Sequence, residues 1–354
     1  MKVMTYREAL HQSMDRALKN HKKTIVYGLC VSDYTGIFGT TLGLTEKYGK
    51  ERVFETPLSE DTMTGFAVGA ALNGLYPIHV HMRADFMALA MNQLINSVAK
   101  YKYMYGGSFE IPIMVRAVIG RSWGQGAQHT QSFQARLSHI PGLTVVMPSC
   151  SQSVLETYDY AVSKYKAPII SFEHRLLYDY SFKIPDTGGS RPGNPLTSFT
   201  VRKGKDVTIL ASSFMVIEAL NAAKYVKENE GLDVEVIDLH CLTNINRQLI
   251  LNSIRKTRKL IIADTSWASF GVPAEISRMI LKESNALLKM PMEDICTAPS
   301  PCPTTKALER YFYPDMGTVV DAIYKLACGK AKHGKRLPTS EQLRKLYKEF
   351  RGPF

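Results

Sequence analysis

The chain has 354 residues, is 45% hydrophobic and carries a formal charge of +12 from 44 basic and 32 acidic residues. That apolar content can build a large core, the length sets an expectation of two or three domains, and no run of 18 or more apolar residues offers a transmembrane helix. Six cysteines, at 30, 150, 241, 296, 302 and 328, form no C-x-x-C pair, so neither zinc nor a redox dithiol is expected, and their scarcity fits a reducing cytoplasm.

The N-terminus, MKVMTYREALHQSMDRALKNHKK, has no apolar signal-peptide core and reads as an amphipathic helix over Tyr6–Asn20. A strand follows at TIVYGLCV, then a short helix over Thr41–Tyr48, a strand at RVFETPL, a buried helix at GFAVGAAL and a strand at PIHVHM. MALAMNQLINSVAKYKYM has apolar and small residues at helical spacing and predicts one long helix. IPIMVRAVI is nearly continuous in apolar residues, as in a sheet covered on both faces. LTVVMP, a helix over Ser153–Lys164 and APIISFE complete a first unit, whose alternation of strand and helix predicts a parallel α/β sheet.

The Pro/Gly/Ser-rich stretch IPDTGGSRPGNPLTS then breaks the pattern and reads as a linker. Alternation restarts with DVTILAS, a helix over Phe214–Glu230, DVEVIDL, a helix over Arg247–Thr257, KLIIADT and a helix in VPAEISRMILKES. The expected organisation is therefore an α/β domain over 1–183, a linker over 184–200, a smaller α/β domain over 201–327 and an extension over 328–354. In the extension eight basic residues (Lys330, Lys332, Lys335, Arg336, Arg344, Lys345, Lys348, Arg351) stand against Glu341 and Glu349, a net of +6. Such a tail reads first as a solvated helix; no nucleic-acid-binding motif accompanies it.

Several nucleotide and hydrolase signatures are missing. GIFGTTLG has the wrong spacing for a dinucleotide-binding turn, no P-loop occurs, GQGAQ is a small turn, and G-x-S-x-G is absent. Open parallel sheets bind ligands at the carboxyl ends of their strands. Glu60 follows RVFETPL, Phe86 follows PIHVHM and His129 lies in the loop after IPIMVRAVI, so an acid, an aromatic face and an imidazole would share one sheet edge. Each has a plainer reading: Glu60 as an acid at a helix N-terminus, Phe86 as core, His129 as an ordinary loop residue. His79 and His81 would face one side of a strand, but no third ligand has suitable spacing, which weighs against a metal there.

At these residues the chain resembles the beta subunits of thiamine-diphosphate-dependent 2-oxo acid dehydrogenases, and the corresponding half of split transketolase-type enzymes. The resemblance runs through MTYREAL, TPLSEDTMTGFAVGAALNGLYPI, ADF, NQLINSVAKYKYMYGG, IPIMVRAVIG, GAQHTQSF, IPGLTVVMPS and FEHRLLYD. It continues through EVIDLHCLTNINRQLILNSIRKTRKLIIADTSWASFGVPAEI and covers about Met1 to Ala327. It implies a pyrimidine-binding domain followed by a transketolase C-terminal-like domain that mainly builds a subunit interface. It also implies that Glu60 hydrogen-bonds the cofactor's pyrimidine, that Phe86 stacks on that ring, and that His129 meets substrate-derived groups and acts in proton transfer. Leu29 and Leu58 are carried over as cofactor-binding positions.

In the resembling family the diphosphate is held through magnesium by a GDG…NN motif on a separate alpha subunit, and this chain has neither GDG nor NN. The resemblance therefore implies no metal site in this chain, magnesium through the partner, and an α2β2 heterotetramer, with a lipoyl acyltransferase core as a further partner. Three positions depart from the pattern. Leu29 and Cys30 stand where an acid often follows the first-strand glycine, HCLTNIN lacks the arginines of its counterpart, and SKYKAP lacks the acidic and amide residues of a potassium site. The basic tail also differs from a surface that would dock a basic domain. Three readings follow: a 2-oxo acid dehydrogenase beta subunit that decarboxylates with acyl transfer; a stand-alone two-subunit enzyme transferring a ketol or acyl group to a sugar or aldehyde; and a non-catalytic interaction subunit.

Overall fold

Thr5 opens the first helix, Tyr6–Asn20, with a capping box: its hydroxyl accepts from the Glu8 amide while the Glu8 carboxylate accepts from the Thr5 amide. Tyr6, Ala9, Leu10, Ser13, Met14, Ala17 and Leu18 are its buried face, the three- and four-residue spacing expected of an amphipathic helix. The computed structural model describes residues 2–120, 124–184, 193–283, 286–329 and 337–342. Residues 185–192 of the proline- and glycine-rich linker and all eight basic residues of the C-terminal extension lie outside these residues.

The described residues form two compact units, one within 2–120 and 128–196, the other within 124–127 and 197–342. The strands of the first are β1 (Lys2–Thr5), β2 (Thr24–Gly28), β3 (Val53–Glu55), β4 (Tyr76–His81), β5 (Met114–Ile119), β6 (Thr144–Val146), β7 (Ile169–His174) and β8 (Ser181–Ile184). Six of them form a parallel sheet in the order β3-β2-β4-β5-β7-β6, while β1 and β8 pair as an antiparallel ribbon. Every residue of β2, β4, β5 and β7 is buried, which explains why those segments are mostly apolar.

The exception inside that sheet is charged. Arg116 on β5 is 0% exposed, and its Nε and Nη2 donate to the Glu173 carboxylate on β7 at 2.6 and 2.9 Å. Tyr158 and Tyr178 each donate a hydroxyl to Glu173 at 2.6 Å. Burial first, and the Glu173 charge second, push both phenols well above their ordinary range.

The second unit holds β9 (Phe199–Arg202), β10 (Val207–Ala211), β11 (Val234–Asp238), β12 (Leu260–Ala263) and β13 (Glu293–Ile295), in the order β13-β12-β10-β11-β9. Its core packs Val207, Ile209, Val234, Val236 and Ile261 against helices Phe214–Glu230 and Met316–Cys328. The edge strand β9 runs antiparallel to β11, so this sheet is mixed.

Three expectations change. The stretch read as one long helix is a succession: Ala84–Met87, a 3-10 turn at Ala88–Ala90, a π segment at Gln93–Val98 and a turn at Tyr101–Met104. Apolar spacing over a single turn does not separate a 3.6-residue period from a wider one, and the Ala99 amide here bonds back five residues to Leu94. The strand in RVFETPL stops at Glu55, two residues before Pro57, which has no amide to donate. The next helix starts at Glu60 rather than at Gly65 and runs to Leu72.

Candidate active site

Because β2, β3, β4 and β5 are parallel, Gly28, Glu55, His81 and Ile119 all end on one edge of the first sheet. Gly28 has φ +152°, and a Cβ placed there would lie 2.1 Å from the Val80 carbonyl oxygen on β4. Only a residue without a side chain lets β2 and β4 close at this edge. Gly28→Ala is expected to destabilise the protein by about 1–3 kcal/mol, the cost of overpacking against backbone that cannot rotate away, read as a lower urea midpoint.

The loop after β2 hangs on an acid. Glu55 accepts hydrogen bonds from the amides of Cys30 and Ser32 and from the Ser32 hydroxyl, the latter two at 3.3 Å. Cys30 takes φ +59°, and burial, aided by Asp33 and Glu55, pushes its thiol up to about 11. Leu29 stands where an acid was expected, and Glu55 supplies a carboxylate to the amides and the Ser32 hydroxyl of the same loop.

Glu60 is the first residue of helix Glu60–Leu72 and is 8% exposed. Its Oε1 is buried without a hydrogen-bond partner. It lines a small open cleft together with Leu29, Met63, His81, Met82 and Phe86. Glu60, Phe86 and Leu29 thus line one cleft. Leu58 is 75% exposed and is not among the cleft's lining residues.

His129 is half-buried, and its ring meets Phe86 edge to face with centroids 5.3 Å apart. Asp85 holds the two together. Its Oδ1 accepts from the Gln131 amide at 3.2 Å and from Gln131 Nε2 at 2.9 Å, tying the His129 loop to the helix that carries Phe86. Nothing in the sequence marked Asp85 and Gln131 as partners, because they lie 46 residues apart.

His79 and His81 project from the same side of β4, as alternation requires, with ring centroids 4.2 Å apart. His79 stacks on Tyr27 at 4.8 Å and meets the Thr64 hydroxyl through Nδ1 at 3.3 Å. No cluster of three or more metal-ligand side chains occurs among the described residues. Burial lowers His81 to about 4, and burial with the His81 neighbour lowers His79 well below the ordinary value of 6.5. Between pH 6.5 and 4 the unfolded chain therefore binds a proton that folded His81 does not. Stability should fall as pH drops through that window, by up to about 3 kcal/mol from this residue. His81→Phe should flatten the decline in urea midpoint measured across it.

Comparison with known proteins places the chain in a family. The domain family described as "Transketolase, pyrimidine binding domain" matches residues 2–180, and "Transketolase, C-terminal domain" matches 198–319. The mitochondrial pyruvate dehydrogenase E1 component subunit beta-2 of Oryza sativa subsp. japonica is 37% identical over 332 residues, covering 93% of this chain and 88% of its own. The pyruvate dehydrogenase E1 component subunit beta of Rickettsia conorii is 35% identical over 323 residues, covering 91% and 98%. The chain belongs to the family of thiamine-diphosphate-dependent 2-oxo acid dehydrogenase beta subunits. The fold is shared with a solved split-gene transketolase described as an inactive beta4 tetramer, at a TM-score of 0.71 and 22% identity, covering 92% of this chain and 99% of that one. Within the family's pyrimidine-binding domain lie Glu60, Phe86 and His129, all on the first unit.

Proposed function

We propose that this chain is the beta subunit of a heteromeric thiamine-diphosphate enzyme that decarboxylates a 2-oxo acid and passes the acyl group onward. The observation that carries the reading is the buried, partnerless Glu60 Oε1 in a cleft that Phe86 also lines. These residues fit the pyrimidine half of the cofactor: a carboxylate for a ring nitrogen, an aromatic face for stacking, and apolar walls from Leu29, Met63 and Met82. When bound, thiamine diphosphate supplies an electron sink at a carbon that must first lose its proton.

Glu60 would hold and exchange a proton at the pyrimidine nitrogen, where the carboxylate is only 8% exposed and such a hydrogen bond is strong. Phe86 orients the ring, an aromatic contact contributing about 1 kcal/mol beyond burial. His129, held against Phe86 by the Asp85–Gln131 tie, offers an imidazole for proton transfer with the substrate-derived group.

The chain lacks GDG and NN, so the diphosphate and magnesium fall to an alpha subunit carrying that motif, in an α2β2 assembly, with a lipoyl acyltransferase core as acyl acceptor. All six cysteines are unpaired, which suits the reducing cytoplasm or an organelle interior, and no described helix is long and apolar enough to cross a membrane. Leu29, an apolar wall where an acid was expected, favours one second reading: ketol or acyl transfer to a sugar or aldehyde without a dehydrogenase complex. A non-catalytic subunit would have no use for the Glu60–Phe86–His129 arrangement.

The test is co-expression with the alpha subunit and turnover of a panel of 2-oxo acids and ketose phosphates with thiamine diphosphate and magnesium. Decarboxylation of a 2-oxo acid supports the first reading, and turnover of ketose phosphates alone supports the second. Tight binding of thiamine diphosphate and magnesium by this chain without a partner overturns the divided site.

A further inference from the structure

Two buried polar atoms of cleft-lining residues have no hydrogen-bond partner: Glu60 Oε1 and His81 Nε2. The first has a role in the function proposed above; the second has none. His81 is 4% exposed on a fully buried strand, its same-face neighbour being His79. A phenylalanine or leucine there would fill the position with no polar group to desolvate. A ring nitrogen buried without a partner costs about 1–3 kcal/mol, a cost that a ligand's polar atom would relieve.

The imidazole is held in place. Its ring packs on His79 at 4.2 Å, and His79 is fixed in turn by stacking on Tyr27 and by the Thr64 hydroxyl. Burial keeps the ring neutral at pH 7. A neutral imidazole has one donor and one acceptor nitrogen, and the tautomer decides which of them Nε2 is. It can therefore meet either a ring nitrogen or an amino group, both of which an amino-substituted nitrogen heterocycle presents.

We propose that His81 is a second ligand-contacting residue of the cleft, its Nε2 hydrogen-bonding a polar atom of the heteroaromatic ring that Glu60 also engages. The proposal rests on the thiamine reading and adds to it a residue that sets how the ring is gripped. His79 is a positioning residue, acting through His81.

The experiment is a calorimetric titration of the protein, co-purified with its alpha subunit, with thiamine diphosphate and magnesium. Wild type is compared with His81→Phe, His81→Gln and Glu60→Gln. His81→Phe is expected to raise Kd about five- to tenfold, the loss of one hydrogen bond, and His81→Gln to recover part of it. A His81→Phe Kd within twofold of wild type overturns the His81 assignment; if Glu60→Gln is weakened in the same series, the thiamine reading stands. No binding by wild type overturns both. Should His81→Phe fail to fold, ¹⁵N-histidine NMR of the wild-type complex decides. A His81 Nε2 resonance that shifts on saturation with thiamine diphosphate supports the contact, and one that does not move overturns it.

Discussion

Glu60→Gln is expected to cut thiamine-dependent turnover by about 10²–10⁴-fold, the range for losing a positioned proton-transfer group. Glutamine has nearly the same shape and can still form a hydrogen bond, but it cannot take up and release a proton. Glu60 also stands at the first turn of helix Glu60–Leu72, where a carboxylate meets the positive end of the helix dipole. That role predicts something different: a stability loss of about 0.3–1 kcal/mol and little change in turnover. Measuring urea unfolding and single-turnover decarboxylation on the same variant separates the two. A variant that turns over within severalfold of wild type would leave Glu60 as a helix-terminal acid and remove it from the chemistry.

The second large effect is structural. Breaking the Arg116–Glu173 pair from one side, with Arg116→Met or Glu173→Ala, should cost about 3–5 kcal/mol in urea unfolding, because the remaining charge stays buried without its partner. Arg116 is 0% exposed and Glu173 1%. With Glu173 gone, Tyr158 and Tyr178 lose their acceptor as well. The double variant Arg116→Met/Glu173→Leu should recover much of the loss, since well-packed apolar side chains of similar volume often replace a buried ion pair without net cost. If the double variant is as unstable as the worse single one, the penalty belongs to packing rather than to the orphaned charge. The pair bridges β5 and β7, and β5 feeds the loop that carries His129. A stable double variant with reduced turnover would show that the charge also sets that loop.

Local pattern was a reliable guide for three of the longer helices, though not for MALAMNQLINSVAKYKYM. Helices Tyr6–Asn20, Phe214–Glu230 and Arg247–Thr257 have the bounds that their apolar spacing predicts. The buried parallel strands were legible because continuous apolar runs between helices have few other uses. Short or irregular elements were not. The β1–β8 ribbon joins segments far apart in the chain, β9 and β13 are only four and three residues long, and the π segment imitates a regular helix in its apolar spacing.

The inventory of the site was also legible: an acid, an aromatic and an imidazole, each just beyond a strand end, with no diphosphate motif to accompany them. The sequence by itself determined those residue types and the alternation that puts them on one sheet edge. Only the tertiary structure decided which atoms converge. It turned Leu58 outward and Leu29 into the cleft, brought Phe86 against His129 through Asp85 and Gln131, and made His81 a wall of the cleft. The reason is physical. Which face a side chain takes follows from the local backbone period, but what it meets there depends on strand register and loop anchoring, set by hydrogen bonds between residues tens of positions apart.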